Sequence, residues 1–300
     1  MQQQPISSLL AVVTGANKGI GLETVRQLAV QGVTVILTAR DKKRGNDAVS
    51  SLQLSNVLFH QLDVRDAHSA AALADFILRK FGKLDILVNN AGASGVVVDV
   101  AGLRALNVEP ESWLSGKATN LVQGVIQQNY ENAVTCLDTN YYGCKRVTEA
   151  LLPLLKLSSF GAKIVNVSSL RSEIKRIPGE KIRAEVADIG NLSEELIEDV
   201  LQRFLEDLKN GNLEAGGWPM MLPSYSMSKV ALNAYTRVLA KRHQGMCINC
   251  VHPGFVKTDI NWNTGVMATE DGAKGPVMLA LLPPGGPSGR YFDQTTMAEF

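Results

Sequence analysis

Two groups of residues in this sequence have the types and spacing to do chemistry. The first is the run Thr14-Gly15-Ala16-Asn17-Lys18-Gly19-Ile20-Gly21, which sits between a short apolar stretch, Leu9–Val13, and a helical pattern. Glycines at 15, 19 and 21 leave the backbone bare where a Cβ would obstruct an approaching pyrophosphate. The exposed N–H groups and the positive end of the following helix would then bind the anion. The spacing is G-x-x-x-G-x-G, not the G-x-G-x-x-G of typical dinucleotide folds, and a tight βα turn alone could also use it. The second group is Tyr225 and Lys229, four apart in a helical pattern and therefore on one face. A phenol with its ordinary pKa of about 10 is a poor acid or base near neutrality. A neighbouring ammonium favours the phenolate and should draw that pKa down. Ser169, at the end of an apolar run, could hydrogen-bond a carbonyl oxygen, and so could its neighbour Ser168.

The segment Thr38-Ala39-Arg40-Asp41 bears on the choice of dinucleotide. An acid at the tip of the second strand would hold the ribose diol of NAD and repel a 2′-phosphate. The tip is Ala39, followed by Arg40, whose guanidinium can grip a phosphate bidentately. With Lys18 nearby as a second cation, NADP(H) is the expected cofactor.

Other chemistries lack their residues. Cys247-x-x-Cys250 lies in a strand-like run, where residues three apart point to opposite faces, and no second pair completes a zinc site. The four histidines are scattered and no H-E-x-x-H occurs, so no metal is expected. Neither a G-x-S-x-G elbow nor a G-x-x-x-x-G-K-[ST] loop is present. With 30 basic against 29 acidic residues, nothing suggests a nucleic-acid or polybasic membrane partner. No apolar run approaches the roughly 18 residues of a membrane span. The stretch Met1-Gln-Gln-Gln-Pro-Ile6 lacks a basic region, so no secretory signal is expected, and four cysteines make no disulfide framework. A cytoplasmic protein acting on a small molecule is the expectation.

The elements that must position these residues alternate. Strands are expected at Leu9–Val13, Val33–Leu37, Val57–Leu62 and Leu84–Val88, with helices over Ile20–Gln31, Lys43–Leu52 and Ala67–Phe81 between them. That rhythm means right-handed βαβ units. It continues with a helix containing Cys136–Leu157, strand Lys163–Val167, helix Ser224–His243, strand Met246–Val251, a helix near Glu270–Leu282 and an edge strand near Arg290–Phe292. The expected fold is α/β, a doubly wound parallel sheet of about seven strands with a helical insertion, in one domain over residues 1–300. Residues 93–120 show too little periodicity for assignment. Residues 171–222 form the insertion, with its own helix from the N-cap Ser193 through the wide apolar stripe Leu196, Ile197, Val200, Leu201, Phe204, Leu205 and Leu208.

Taken together, the glycine turn, Asp63-Val64, Asn89-Asn90-Ala91-Gly92, Asn140, Ser168-Ser169, Tyr225-x-x-x-Lys229 and Pro253-Gly254-Phe-Val-Lys-Thr258 resemble the short-chain dehydrogenase/reductase family over roughly residues 9–292. The insertion, Asn140-Tyr-Tyr-Gly143 and Pro287-Ser-Gly289 are similar more narrowly to that family's monomeric plant reductases. The resemblance implies an NADPH-dependent reduction of a ketone or aldehyde. Tyr225 would be the general acid, Ser169 would orient the carbonyl, Lys229 would bind the nicotinamide ribose and tune Tyr225, and Asn140 would complete a proton relay. It implies that Asp63 and Val64 bracket adenine, that Asn90, Ala91 and Gly92 pass close to the adenosine ribose, and that Val256 and Thr258, after Pro253 and Gly254, hold the nicotinamide amide and phosphates. Asn17, Lys18 and Ile20 complete the glycine turn. Two departures concern the substrate side: His252 stands where many relatives have Cys, and Leu170-Arg-Ser-Glu-Ile follows the serine pair where smaller residues are common. Residues 93–100, Trp218–Met221 and Asn261–Val266 are the expected pocket walls, suited to a bulky apolar ketone such as a terpenoid or alkaloid. Reduction of a conjugated C=C bond, or NADPH binding without turnover, are the alternatives. The family's dimers commonly pair through the helices carrying the Asn and the Tyr-Lys pair. An insertion helix docked there predicts a monomer.

Overall fold

The computed structural model describes residues 8–300, so the amino-terminal stretch Met1–Ile6 considered above lies outside the described residues. The first half of the sheet is built from β1 (Leu10–Val13), α1 (Gly19–Val30), β2 (Thr34–Ala39), α2 (Lys42–Leu52), β3 (Val57–Gln61), α3 (Ala67–Phe81) and β4 (Ile86–Asn89). β1 and β4 are buried at every position, as strands covered by helices on both faces must be. Asp66 caps α3 by accepting from the His68 N–H, and Gly82 ends it in the left-handed region at φ 73°.

The unassigned stretch 93–120 and the residues just after it form a small unit. It comprises β5 (Val96–Val98), α4 (Val100–Ala105), α5 (Pro110–Ser115), α6 (Thr119–Val122) and β6 (Ile126–Gln128), with β5 and β6 antiparallel. Its own apolar cluster contains Leu103, Trp113, Ala118, Val122 and Met221. Elements this short carry no sustained period, which is why the sequence pattern is silent there.

The chain returns through α7 (Tyr130–Leu137), a π-helical turn over Asp138–Tyr142, α8 (Gly143–Leu155) and β7 (Lys163–Val167). The helix expected around Cys136–Leu157 therefore starts earlier and is broken by one wide turn. Single-turn π segments of this kind recur at functional sites. After short 3-10 turns at Leu170–Ser172 and Ile174–Arg176 come α9 (Glu180–Ala187), α10 (Glu194–Asn210), α11 (Pro223–Arg242), β8 (Cys247–His252), α12 (Thr269–Ala280), β9 (Tyr291–Asp293) and β10 (Thr296–Ala298).

The sheet order is β3-β2-β1-β4-β7-β8-β9-β10. Neighbours are parallel except β10, which runs antiparallel to β9. The sheet thus has eight strands where about seven are expected. Gln294 supplies the reversal, at φ 55° and with its N–H donating 2.7 Å to the His252 carbonyl. The direction of winding reverses between β1 and β4, and in open α/β sheets the crevice at that point is where ligands bind.

In α10, Ser193 accepts from the Leu196 N–H at 3.2 Å, and Ile197, Val200, Leu201 and Phe204 are buried against α7, α9 and α11. Lys145 of α8 bridges Glu194 and Glu198, each at 2.7 Å, and Arg242 of α11 reaches Glu194 at 2.6 Å. Cys247 and Cys250 are buried free thiols of β8.

Candidate functional site

One cavity of about 430 Å³ runs from the glycine turn to Tyr225. Gly15, Lys18, Gly19, Ile20, Gly21, Asn90 and Gly92 line one end. Ser169, Tyr225 and Lys229 line the other, and Pro253, Gly254, Val256 and Thr258 flank both. Asn17, Arg40, Asp63, Val64, Ala91 and Asn140 are not among the lining residues.

The turn end is shaped by backbone. Gly15 and Gly19 have φ of +60° and +58°, where a side chain is strained. A Cβ on Gly19 would lie 3.4 Å from the Thr258 methyl, narrowing the gap between the two walls. α1 opens with Lys18 at the N-cap, with no side-chain cap and no acid in the first turn. Its leading N–H groups thus have no side-chain acceptor and suit a bound anion. Asn90 locks the turn to β4: its Nδ2 donates to the Thr14 and Gly15 carbonyls at 2.9 and 3.1 Å, and its N–H donates to Thr14 Oγ1 at 2.9 Å. Ala91 N–H donates to the same hydroxyl. These features fit a dinucleotide pyrophosphate.

The expected adenosine end is more open. Arg40 is exposed after β2, and its carbonyl accepts from Gln61 Nε2 at 3.0 Å. The adjacent acid, Asp41, is occupied as the N-cap of α2, accepting from the Arg44 N–H. Asp63 is half-buried and accepts from the Arg65 N–H at 3.0 Å, whereas the Val64 side chain is buried against Gly143. Lys18, expected as a second cation for a phosphate, makes an exposed 2.6 Å ion pair with Asp259 from the opposite wall.

At the other end, α11 carries Tyr225 and Lys229 on the face turned to β7. Lys229 Nζ donates to the Val167 carbonyl at 2.8 Å and lies 5.7 Å from the centre of the Tyr225 ring. Ser169 Oγ accepts from the Arg171 N–H at 3.2 Å, and its hydroxyl lies close enough to the phenol of Tyr225 to favour the ionised form. Ser168 instead donates to Asn233 Oδ1 at 2.6 Å, within a buried cluster that includes Ser172. The electrostatics correct one expectation. Burial pushes the Tyr225 phenol up to about 12, against the downward pull of Ser169 and Arg171. Burial likewise pushes the Lys229 ammonium down to about 8. Desolvation dominates both groups, because both have left water and Lys229 is spent on a backbone carbonyl.

Asn140 sits in the π turn, buried. It accepts from the Ala93 N–H at 2.7 Å and donates to the Ala93 carbonyl at 3.0 Å and to Ser228 Oγ at 2.9 Å. Ser228 in turn donates to the Tyr225 carbonyl at 2.7 Å. Asn140 therefore ties the segment leaving β4 to the helix bearing Tyr225.

The walls around Tyr225 differ from those expected. Ser94 and Asn261–Thr264 do line the cavity. Trp218 does not: it is buried edge-on against Phe204 and donates to Asp207 Oδ2 at 2.7 Å. Its pattern reads equally as pocket or core, and α10 supplies the core. Trp113, Leu114, Leu222 and Phe255 are walls that sequence reasoning missed, and Leu170 and Arg171, flagged on the substrate side, line the cavity with them. Trp113 and Leu114 fall in the stretch with no readable period. Arg171 and Leu170 were visible only as an unusual run after the serine pair.

Residues 9–180 match the short chain dehydrogenase family. The chain belongs to the short-chain dehydrogenase/reductase family. It is 52% identical over 295 residues to short-chain dehydrogenase/reductase 1 of Saponaria officinalis, covering 97% of this chain and 95% of that one. It is 46% identical to (+)-neomenthol dehydrogenase of Arabidopsis thaliana, covering 97% of each. The solved structure of salutaridine reductase from Papaver somniferum superposes with a TM-score of 0.88 at 44% identity, covering 95% of this chain and 99% of that one. This member of the family is an oxidoreductase acting between a carbonyl and an alcohol. Among the described residues no helix is long and apolar enough to cross a membrane.

Proposed function

We propose that the protein is an NADPH-dependent reductase of a bulky, largely apolar ketone or aldehyde. The observation that carries this reading is the single cavity joining the bare glycine turn to Ser169, Tyr225 and Lys229. Bound nicotinamide would supply a hydride to the carbonyl carbon. The Tyr225 phenol, held protonated by burial, donates its proton to the developing alkoxide. Ser169 holds the carbonyl oxygen, and Lys229 binds the nicotinamide ribose. Asn140, fixed between Ala93 and Ser228, maintains the path by which a proton returns to Lys229. Arg40 would read a 2′-phosphate: it is exposed, and no acidic side chain pairs with it among the described residues. Apolar walls such as Trp113, Leu114 and Phe255 suit a hydrophobic skeleton. Following NADPH oxidation against a panel of cyclic ketones tests this; no turnover with any of them, or equal use of NADH, goes against it.

The same reading treats residues 1–300 as one reductase domain whose insertion, 171–222, covers a helix face near the site. The packing of α10 on α7 and α11 supports this, because one surface cannot serve both α10 and another subunit. Light scattering at micromolar concentration is expected to give the 32.4 kDa of a single chain; a stable dimer mass would refute it.

A further inference from the structure

Arg171 is a charged residue of the cavity that the proposed reaction does not use. It follows Ser169 by two positions in the 3-10 turn Leu170–Ser172, lines the cavity with Tyr225, and is half-buried. One of its N–H groups donates to the Trp113 carbonyl. A guanidinium has five N–H donors, and no carboxylate lies within ion-pair distance of this one among the described residues. The acid that acts on it, Glu173, is already held by Arg176 at 2.8 Å and Lys175 at 3.3 Å.

The other charged and titratable groups around it give no relief. Arg176 repels it, and its neighbour Tyr225 is a protonated phenol. Burial pushes His252, on the same cavity, down to about 4, so that ring is neutral at pH 7, and its Nδ1 is buried without a protein partner. A cation withdrawn from water without a counter-charge is costly, and burial pushes the Arg171 guanidinium down to about 10. Its position does not suit a cofactor phosphate, since the glycine turn lies at the other end of the cavity. Trp113, whose carbonyl it holds, and Leu170 next to it in the chain are apolar, and Leu114 and Leu222 add apolar lining to the same cavity.

We propose that Arg171 determines substrate specificity, and that the ketone reduced here carries a carboxylate, which the guanidinium grips while the apolar walls hold the rest of the skeleton. A carboxylate matches the fork of the guanidinium and its single charge. This deepens the reductase reading and rests on it.

The test uses the full chain with NADPH and a panel of cyclic ketones prepared in pairs, each a free keto acid and its methyl ester. The wild-type protein is expected to show a kcat/KM roughly tenfold or more higher for the acid, carried mainly by KM, and R171M to lose about that factor in the acid-over-ester ratio. R171K, which keeps the charge without the fork, should retain part of it. Three outcomes overturn the inference while leaving the reductase reading standing. These are an ester preference in the wild type, an acid preference that survives R171M, and an equal fall on acid and ester in R171M. The last, if accompanied by a lowered Tm, would make Arg171 a tether for Trp113, and without it a partner of Tyr225. Failure of every acid and ester to oxidise NADPH would instead remove the reductase reading, and this inference with it.

Discussion

The two ends of the cavity are built on opposite principles. At the turn end the shape comes from side chains that are missing: Gly15, Gly19 and Gly21 expose backbone, and Asn90 holds that backbone in place. At the far end the chemistry comes from side chains that are present and desolvated: Tyr225, Lys229 and Arg171 all have their ionisation displaced by burial. Damage at the first end should therefore appear as lost binding or stability. Damage to Tyr225 at the second end should appear as lost turnover, with binding of the dinucleotide retained.

The sharpest test of that division is Tyr225→Phe. It keeps the ring and removes the proton donor, so turnover should fall by about 10²-fold or more while NADPH titration by fluorescence still shows binding. A variant that keeps most of its rate would remove Tyr225 from the chemistry. Next in size is Arg40→Asp, which exchanges an attraction for a repulsion at the proposed 2′-phosphate. The ratio of kcat/KM for NADPH over NADH should fall by roughly 10- to 100-fold, and an unchanged ratio would show that Arg40 does not read the cofactor.

Gly21→Ala probes the turn itself. The new Cβ would stand 2.4 Å from Asn90 Nδ2 and 2.9 Å from both the Ala16 Cα and the Gly15 carbonyl oxygen. Backbone cannot yield as a flexible side chain can, so the turn must move. Overpacking of this kind costs about 1–3 kcal/mol, read as a lower Tm together with a weaker dinucleotide Kd. Full binding in a less stable protein would confine the glycine's role to packing.

The smallest effect is on pH dependence. The form of Lys229 with its ammonium intact exists below about pH 8 and is lost above it, whereas Tyr225, near 12, stays protonated throughout. Ketone reduction at saturating NADPH should decline as pH rises through about 8, by no more than tenfold per unit. A profile flat to pH 10 would mean that the lysine proton is not needed.

The same contrast explains what could be read from residue order. Apart from Asn90, which holds it from across the sheet, the turn end is local: a buried strand, three glycines and a helix start lie within a dozen residues of one another, so spacing alone announces them. Tyr225 and Lys229 share this property, being one helical turn apart. Asn140 does not, because its position depends on a π turn that leaves no mark in hydrophobic periodicity. Trp218 misled, since an aromatic near the site can face either a pocket or a core, and the choice lay with Phe204 and Asp207 on α10. The eighth strand is three residues long and exists through pairing with β9.

The sequence by itself determined the α/β alternation, the glycine turn and the reacting pair, because each is written in contacts between residues close along the chain. Tertiary structure alone decided which side chains wall the cavity and what their surroundings do to them. Trp113, Arg171, Tyr225 and His252 come from four separate segments, and only folding brings them to one space. Only there does withdrawal from water act on them, raising a phenol, lowering an ammonium and a guanidinium, and keeping an imidazole neutral. Desolvation depends on everything packed around a group, and that has no counterpart in the order of residues.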